Sequence, residues 1–134
     1  MYLFDTGVLS NIVKPRPSEY LLERIKMLPM RFQFTTSINI GEIYYGAYRA
    51  PNKRKILDFY LKHVFPNINV LSFDDVSAEI YGKTKAYLSK KGIGCSEPDL
   101  RIASIAIQNK LILVTGNVAH FKEIPRLKIE NWIK

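Results

Sequence analysis

Short apolar runs alternate with helix-forming stretches along the chain, and that alternation leaves few folds open. Tyr2-Leu3-Phe4 is one such run, stopped at once by Asp5. Residues 32–36 and 68–73 are two more, and Leu111-Ile112-Leu113-Val114 is the clearest. Runs this short and continuous read as strands covered on both faces. Helical stretches lie between them. Residues 6–13 are stopped by Pro15 and Pro17, and residues 18–27 open on Ser18 as a cap. The next helix is expected from about Asn39 to Arg49, with Ile40, Ile43, Tyr44 and Ala47 on one face. Pro51 separates it from a helix over 53–64. A long helix opens on Asp74 or Asp75 and ends at Gly92, and a short apolar helix covers 96–109. A turn of helix around 118–121 leads to a last strand near 127–129. The pattern predicts an α/β fold: a mostly parallel central sheet flanked by helices, in one domain over residues 1–134. Ligands of such sheets lie beyond the carboxyl ends of the strands.

Apolar residues make up 47% of the 134, enough for a core without disulfides, and the lone Cys95 cannot form one internally. A single cysteine fits a reducing cytoplasm. No uninterrupted apolar run approaches the ~18 residues of a membrane span. No basic residue precedes the first apolar stretch, so neither a secretory leader nor a membrane partner is expected. Twenty Lys and Arg against 12 acids give a formal charge of +8. Such a chain attracts polyanions, with nucleic acid ahead of anionic membranes and acidic proteins. The basic residues form three groups: Arg49, Lys53, Arg54 and Lys55; Lys83, Lys85, Lys90 and Lys91; and Lys122, Arg126 and Lys128. Around the first lie Tyr44, Tyr45, Tyr48, Phe59 and Tyr60, which can stack on unpaired bases or belong to the core.

The acids are fewer and better placed. Asp5 follows the first strand directly, and Thr115-Gly116-Asn117 follows the strand over 111–114, so both loops line one crevice. Asp5 also reads as a helix cap. Glu42, three residues after Asn39, reads as the far half of a capping box, yet Gly46 one turn on leaves space beside its carboxylate. Ser96 and Asp99 have the same box spacing. However, Asp99, Ile102, Ala103 and Ala106 form one stripe that must face the sheet. An inward carboxylate is costly unless a metal or hydrogen-bond donors satisfy it. Three acids beside one electropositive crevice need a cation, and oxygen ligands favour Mg²⁺ or Mn²⁺ over Zn²⁺. Such an ion can bind a phosphate oxygen and acidify an attacking water, which is the chemistry of phosphodiester hydrolysis. Other polar residues read more plainly. His120 near Asn117 faces solvent or a local partner, and His63 lies on a helix surface. Glu97 suits a helix N-terminus, and Asp74 and Asp75 are caps. Cys95 has no base nearby, and Trp132 anchors the last strand.

In register along the chain lie Asp5-Thr6-Gly7-Val8-Leu9-Ser10, Glu42-Ile43-Tyr44-Tyr45-Gly46, Asp99-Leu100-Arg101-Ile102-Ala103, Val114-Thr115-Gly116-Asn117 with Phe121, and Glu130-Asn131-Trp132. In that order they resemble the motifs of PIN-domain ribonuclease toxins of the VapC type. The resemblance spans nearly the whole chain. It implies a three-layer PIN-like fold and an Mg²⁺-dependent endoribonuclease acting on tRNA or ribosomal RNA. A VapB-type antitoxin would silence the enzyme, and promoter DNA would be bound only through that antitoxin. The resemblance also implies a homodimer. Asp5 and Asp99 then become metal ligands, and Glu42 completes the triad directly or through water. Asn117 stands where many relatives have a fourth acid, which places a second metal in question. Thr6 and Thr115 become hydroxyls that orient carboxylates or water. Gly7 replaces the commoner asparagine.

Three other readings fit parts of the pattern. A related PIN nuclease could act on DNA or in RNA processing. The departures at Gly7 and Asn117 fit a basic RNA-binding module without catalysis. A receiver-like domain would be phosphorylated on Asp74 or Asp75, but it needs a lysine after a late strand, where Thr115-Gly116-Asn117 stands.

Overall fold

The first strand of the chain lies in the middle of the sheet. In the computed structural model, which describes residues 1–134, β1 (Tyr2–Phe4) pairs on one side with β2 (Gln33–Thr36) and on the other with β4 (Ile112–Val114). Outside these lie β3 (Asn69–Leu71) and β5 (Ile129–Glu130), giving the order β3-β2-β1-β4-β5. Every pairing is parallel, so the sheet is wholly rather than mostly parallel. Helices α1 (Thr6–Ile12) and α2 (Glu19–Lys26) join β1 to β2. After β2 come α3 (Ser37–Arg49) and α4 (Lys53–Phe59), the latter continuing as a wider turn over Tyr60–Val64. Between β3 and β4 lie α5 (Asp75–Lys90) and α6 (Glu97–Gln108), and α7 (Val118–Phe121) precedes β5.

Burial on both faces explains the continuous apolar strands. Successive strand residues point to opposite faces. Leu3 and Leu113 accordingly join a core with Leu88, Phe121 and the α6 residues Ile102, Ala103, Ile105 and Ala106. Their neighbours Phe4 and Val114 enter a second core with Val8, Leu9, Leu21, Ile43, Tyr60 and Trp132. Trp132 stacks edge-on against Phe4 and donates its indole N–H to Glu130 Oε1 at 2.9 Å, which fixes the chain after β5. No helix is long and apolar enough to cross a membrane.

Several boundaries differ from the sequence reading: Phe32 lies in a short helical turn ahead of β2, the strand expected over 111–114 begins at Ile112, and the last one runs over Ile129–Glu130 instead of 127–129. β3 ends at Leu71, short of Phe73. α3 begins at Ser37, and its N-cap is Thr36, the last residue of β2. The capping box therefore joins Thr36 to Asn39, and Glu42 has no part in it. Thr36 ended an apolar run and so read as strand. The chain turns directly from β2 into α3 with no loop residue to mark the change.

Candidate active site

β1 sits where the sheet's connections reverse: the chain moves to β2 and β3 on one side, then crosses to β4 and β5 on the other. A crevice opens at the carboxyl end of such a switch point. The residues just after β1 and β4 meet there, with the Asp5 N–H donating to Val114 O at 3.0 Å. Helices that return antiparallel to the strands begin at the same edge. The first two turns of α3 therefore bring in Asn39 and Glu42, and the first turn of α6 brings in Asp99.

Asp5 is buried, and donors on three elements hold its carboxylate. Thr6 N donates to Oδ1 at 2.9 Å, Asn39 Nδ2 to the same oxygen at 3.1 Å, and Thr115 Oγ1 to Oδ2 at 2.8 Å. The cap role expected of Asp5 is thus real but incomplete. Burial pushes its carboxyl above the ordinary value against the pull of these donors, and the negative charge of Asp99 pushes it the same way. Asp99 heads the α6 stripe as expected: Ile102, Ala103 and Ala106 behind it are fully buried, while its own side chain is 20% exposed. Ser96 Oγ accepts from Asp99 N at 3.3 Å, which leaves the Asp99 carboxylate outside the cap. His120 Nδ1 stands 3.4 Å from Asp99 Oδ2 and is otherwise largely exposed.

Glu42 reaches the same place through an intermediary. Its Oε1 accepts from Thr6 Oγ1 at 2.6 Å, and Thr6 Oγ1 in turn accepts from Asn39 Nδ2 at 2.9 Å. No three His, Cys, Asp or Glu side chains close around a single point, so Asp5, Glu42 and Asp99 share an edge without forming one contact set. Asn117 caps α7 without a side-chain bond, while its N–H donates to Thr115 Oγ1 at 3.0 Å. The candidate ligands at this edge are mainly oxygen, from the carboxylates of Asp5, Asp99 and Glu42 and the amide of Asn117, with the His120 imidazole beside Asp99. Together with the raised Asp5 carboxyl, that set fits a hard divalent cation.

Asn39 escaped the sequence reading as a site residue. It is fully buried, and its amide is used at both ends. Oδ1 accepts from Thr36 Oγ1 at 2.6 Å, which turns Nδ2 towards Asp5 and Thr6. Its cap spacing was visible, but its bond to Asp5 depends on the pairing of β1 with β2.

Two depressions flank this edge. The larger, about 580 Å³, is lined by Thr6, Glu42 and Gly46 together with Lys14, Lys55 and Phe59. The space expected beside Glu42 is there, since nothing lies within 4 Å of a Cβ added at Gly46. Its mouth continues along Asn52, Lys53, Arg54 and Lys55. None of Arg49, Lys53, Arg54 or Lys55 is ion-paired. In the second basic group, Lys83 pairs with Glu79 and Lys85 with Glu97. Tyr60 belongs to the core, whereas Tyr45 and Tyr48 are exposed. The smaller depression, about 350 Å³, lies on the Asp99 side.

The remaining candidates are spoken for. Glu97 is engaged by Lys85, Tyr81 and Arg101, and these partners lower its carboxyl. Asp74 caps α5, its carboxyl held at about 2 by the Ser77 N–H and by Gln108. Burial pushes the Cys95 thiol up, helped by the charges of Asp99 and Glu97, which disfavours a thiolate nucleophile.

Residues 2–127 match the PIN domain family. The chain is 33% identical to ribonuclease VapC2 of Haemophilus influenzae, with 98% of each chain covered. It is 29% identical to the tRNA(fMet)-specific endonuclease VapC of Salmonella typhimurium, covering 98% of this chain and 97% of the relative. The fold is similar to the crystal structure of VapBC2 from Rickettsia felis bound to a DNA fragment from its promoter, with a TM-score of 0.89, 27% identity and 98% of each chain covered.

Proposed function

The chain belongs to the PIN domain family, and from that premise we propose that it is an endoribonuclease, the toxin of a VapBC-type toxin-antitoxin pair. The observation that carries this reading is the buried Asp5 carboxylate, held by donors from three elements and facing the charge of Asp99 at the sheet's switch point. A fold stabilises such a carboxylate poorly, whereas a cation and a phosphate give it a purpose.

Asp5 and Asp99 are the residues to hold Mg²⁺ or Mn²⁺, with Glu42 completing the acidic set through water. When bound there, the divalent ion neutralises charge developing on the phosphate and lowers the pKa of an attacking water. The chain's own groups do the rest. Asn39 and Thr115 fix the Asp5 carboxylate in one rotamer. Thr6 passes that order to Glu42, which then stands ready to orient water. Asn117, with no cap bond, is free to address a phosphate or water. The unpaired cations Lys53, Arg54 and Lys55 hold the RNA backbone, and RNA folded as tRNA is the leading substrate. A VapB-type antitoxin blocks the enzyme, and promoter DNA is bound through that antitoxin. The enzyme works as a homodimer in the cytoplasm.

Asp5→Asn and Asp99→Asn are expected to abolish cleavage of a tRNA pool supplied with Mg²⁺ or Mn²⁺, with circular dichroism unchanged. Gel analysis of cleaved ends reads the result. Wild-type-like cleavage by both variants overturns the assignment.

A further inference from the structure

The smaller depression shares Asp99 with the acidic edge, but none of its other lining residues has a part in the chemistry described above. Leu88, Ile93 and Ile124 give it an apolar lining, and Ser96, His120 and Glu123 stand with Asp99 as its polar members. At about 350 Å³ it is near the lower end of the roughly 300–1,000 Å³ typical of small-ligand sites. No Lys or Arg lines it, while Lys14 and Lys55 line the larger groove. A phosphate is repelled by Asp99 and Glu123, so the smaller depression suits a neutral group with apolar faces and N–H donors on its edge.

Position decides what that group is. Thr6 and Glu42 belong both to the acidic edge and to the larger groove, and Asp99 belongs both to the edge and to the smaller depression. The acidic edge therefore lies between the two. A chain cut there extends into both, and its charged backbone is accommodated on the basic side. Single-stranded RNA is read by splaying bases into pockets and bonding their Watson–Crick edges. Resting on the ribonuclease reading, we propose that the smaller depression is a subsite for one unpaired nucleobase next to the cleaved bond, with guanine favoured. Glu123 is the reading residue. Its carboxylate is in no ion pair, and guanine offers it two adjacent donors, N1–H and the N2 amino group. The other bases offer no such adjacent pair of donor groups. Ala119, exposed on α7, lines the same space, so a larger side chain there fills it without entering the core.

Two measurements test this on the full chain. In the first, guanosine or uridine is titrated into metal-free protein while methyl NMR signals of Ile93 and Ile124 are followed. Guanosine is expected to shift both signals, more strongly than uridine does, and Ala119→Trp is expected to abolish the shifts. Unmoved methyls overturn the subsite whether or not the protein cuts RNA. In the second, oligonucleotides that differ only in the base beside the cleaved bond are compared. Ala119→Trp is expected to raise KM about tenfold, the scale of one lost stacked base, with kcat nearly unchanged. Glu123→Gln is expected to lose the guanine preference. A wild-type KM in a folded Ala119→Trp, or an intact preference in Glu123→Gln, rejects the subsite. Methyl shifts without cleavage would keep the subsite and sink the nuclease reading. Cleavage without methyl shifts would do the reverse.

Discussion

Asp5 makes the fold pay for the site. Its carboxyl is raised by burial first, then by the charge of Asp99, although three donors pull the other way. With the folded pKa above the unfolded one, native Asp5 keeps a proton in a pH range where the unfolded chain has lost it. Stability from this group therefore falls as pH rises from the ordinary carboxylate value through the raised one. Above that, the ionised side chain is a standing cost. Asp5→Asn removes the charge and keeps the shape. Its oxygen still accepts from Thr6 N and Asn39, and its amide can donate to Thr115 Oγ1. The variant is expected to melt higher than wild type near about pH 7 in EDTA, with the gap closing towards about pH 4. Mg²⁺ is expected to raise the wild-type midpoint and to raise that of the variant less, because Asp5→Asn removes one of the carboxylates proposed to hold the ion. Melting curves over that range decide it, and a lower Asp5→Asn midpoint at neutral pH counts against a strained carboxylate. Asp5 and Asp99 were legible in the sequence because each sits where the pattern changes, after a buried strand or ahead of an apolar stripe. Asn39 was not, since its function lies in a bond to a residue 34 positions away.

At the level of elements, the first turn of α3 joins fold to chemistry. The sequence reading placed this helix two residues late and gave its capping box to Glu42. The box belongs to Thr36 and Asn39, which leaves Glu42 free to receive the Thr6 hydroxyl. The error has a physical origin: Thr36 is strand and cap at once, and no Gly, Pro or loop residue separates the two roles. The helices α5 and α6 were easier, because Asp74, Ser96 and Gly92 sit outside the periodic segments and mark their ends. Asn39→Ala removes half of the box and two donors, leaving Asp5 Oδ1 and Thr6 Oγ1 each without one partner in a buried setting. The expected cost is about 1–3 kcal/mol of stability, read from urea unfolding. Cleavage should fall as well, because Asp5 and Thr6 lose their common tether. Ser37→Ala, on the exposed side of the same turn, should change neither. Equal effects of the two substitutions would mean that α3 needs only a generic N-terminus.

For the whole molecule, the +8 charge gave the class of partner but not where that partner lies. Three basic groups looked equivalent along the chain, and folding makes the first two unequal, while Lys122, Arg126 and Lys128 stay outside any ion pair. Lys83 and Lys85 are neutralised by Glu79 and Glu97, and Lys91 lies over the Tyr87 ring. Lys53, Arg54 and Lys55 remain unpaired at the mouth of the groove that holds Glu42. Exposed ion pairs are weak, but a phosphate that displaces one must still compete with the carboxylate already there. Binding to RNA should therefore depend more on the second set of three than on the first. In an Asp99→Asn background, expected to bind without cutting, the affinity for a single-stranded RNA should fall with salt by a slope near 0.7 per phosphate contact. Replacing Lys53, Arg54 and Lys55 together by Ala should flatten that slope by about 2, whereas replacing Lys83, Lys85 and Lys91 should flatten it by less than 1. Fluorescence anisotropy at several salt concentrations gives both slopes. Equal flattening by the two triple variants would return the charge to a diffuse property of the surface. A difference would place the path of the RNA backbone on the side of the acidic edge opposite the smaller depression.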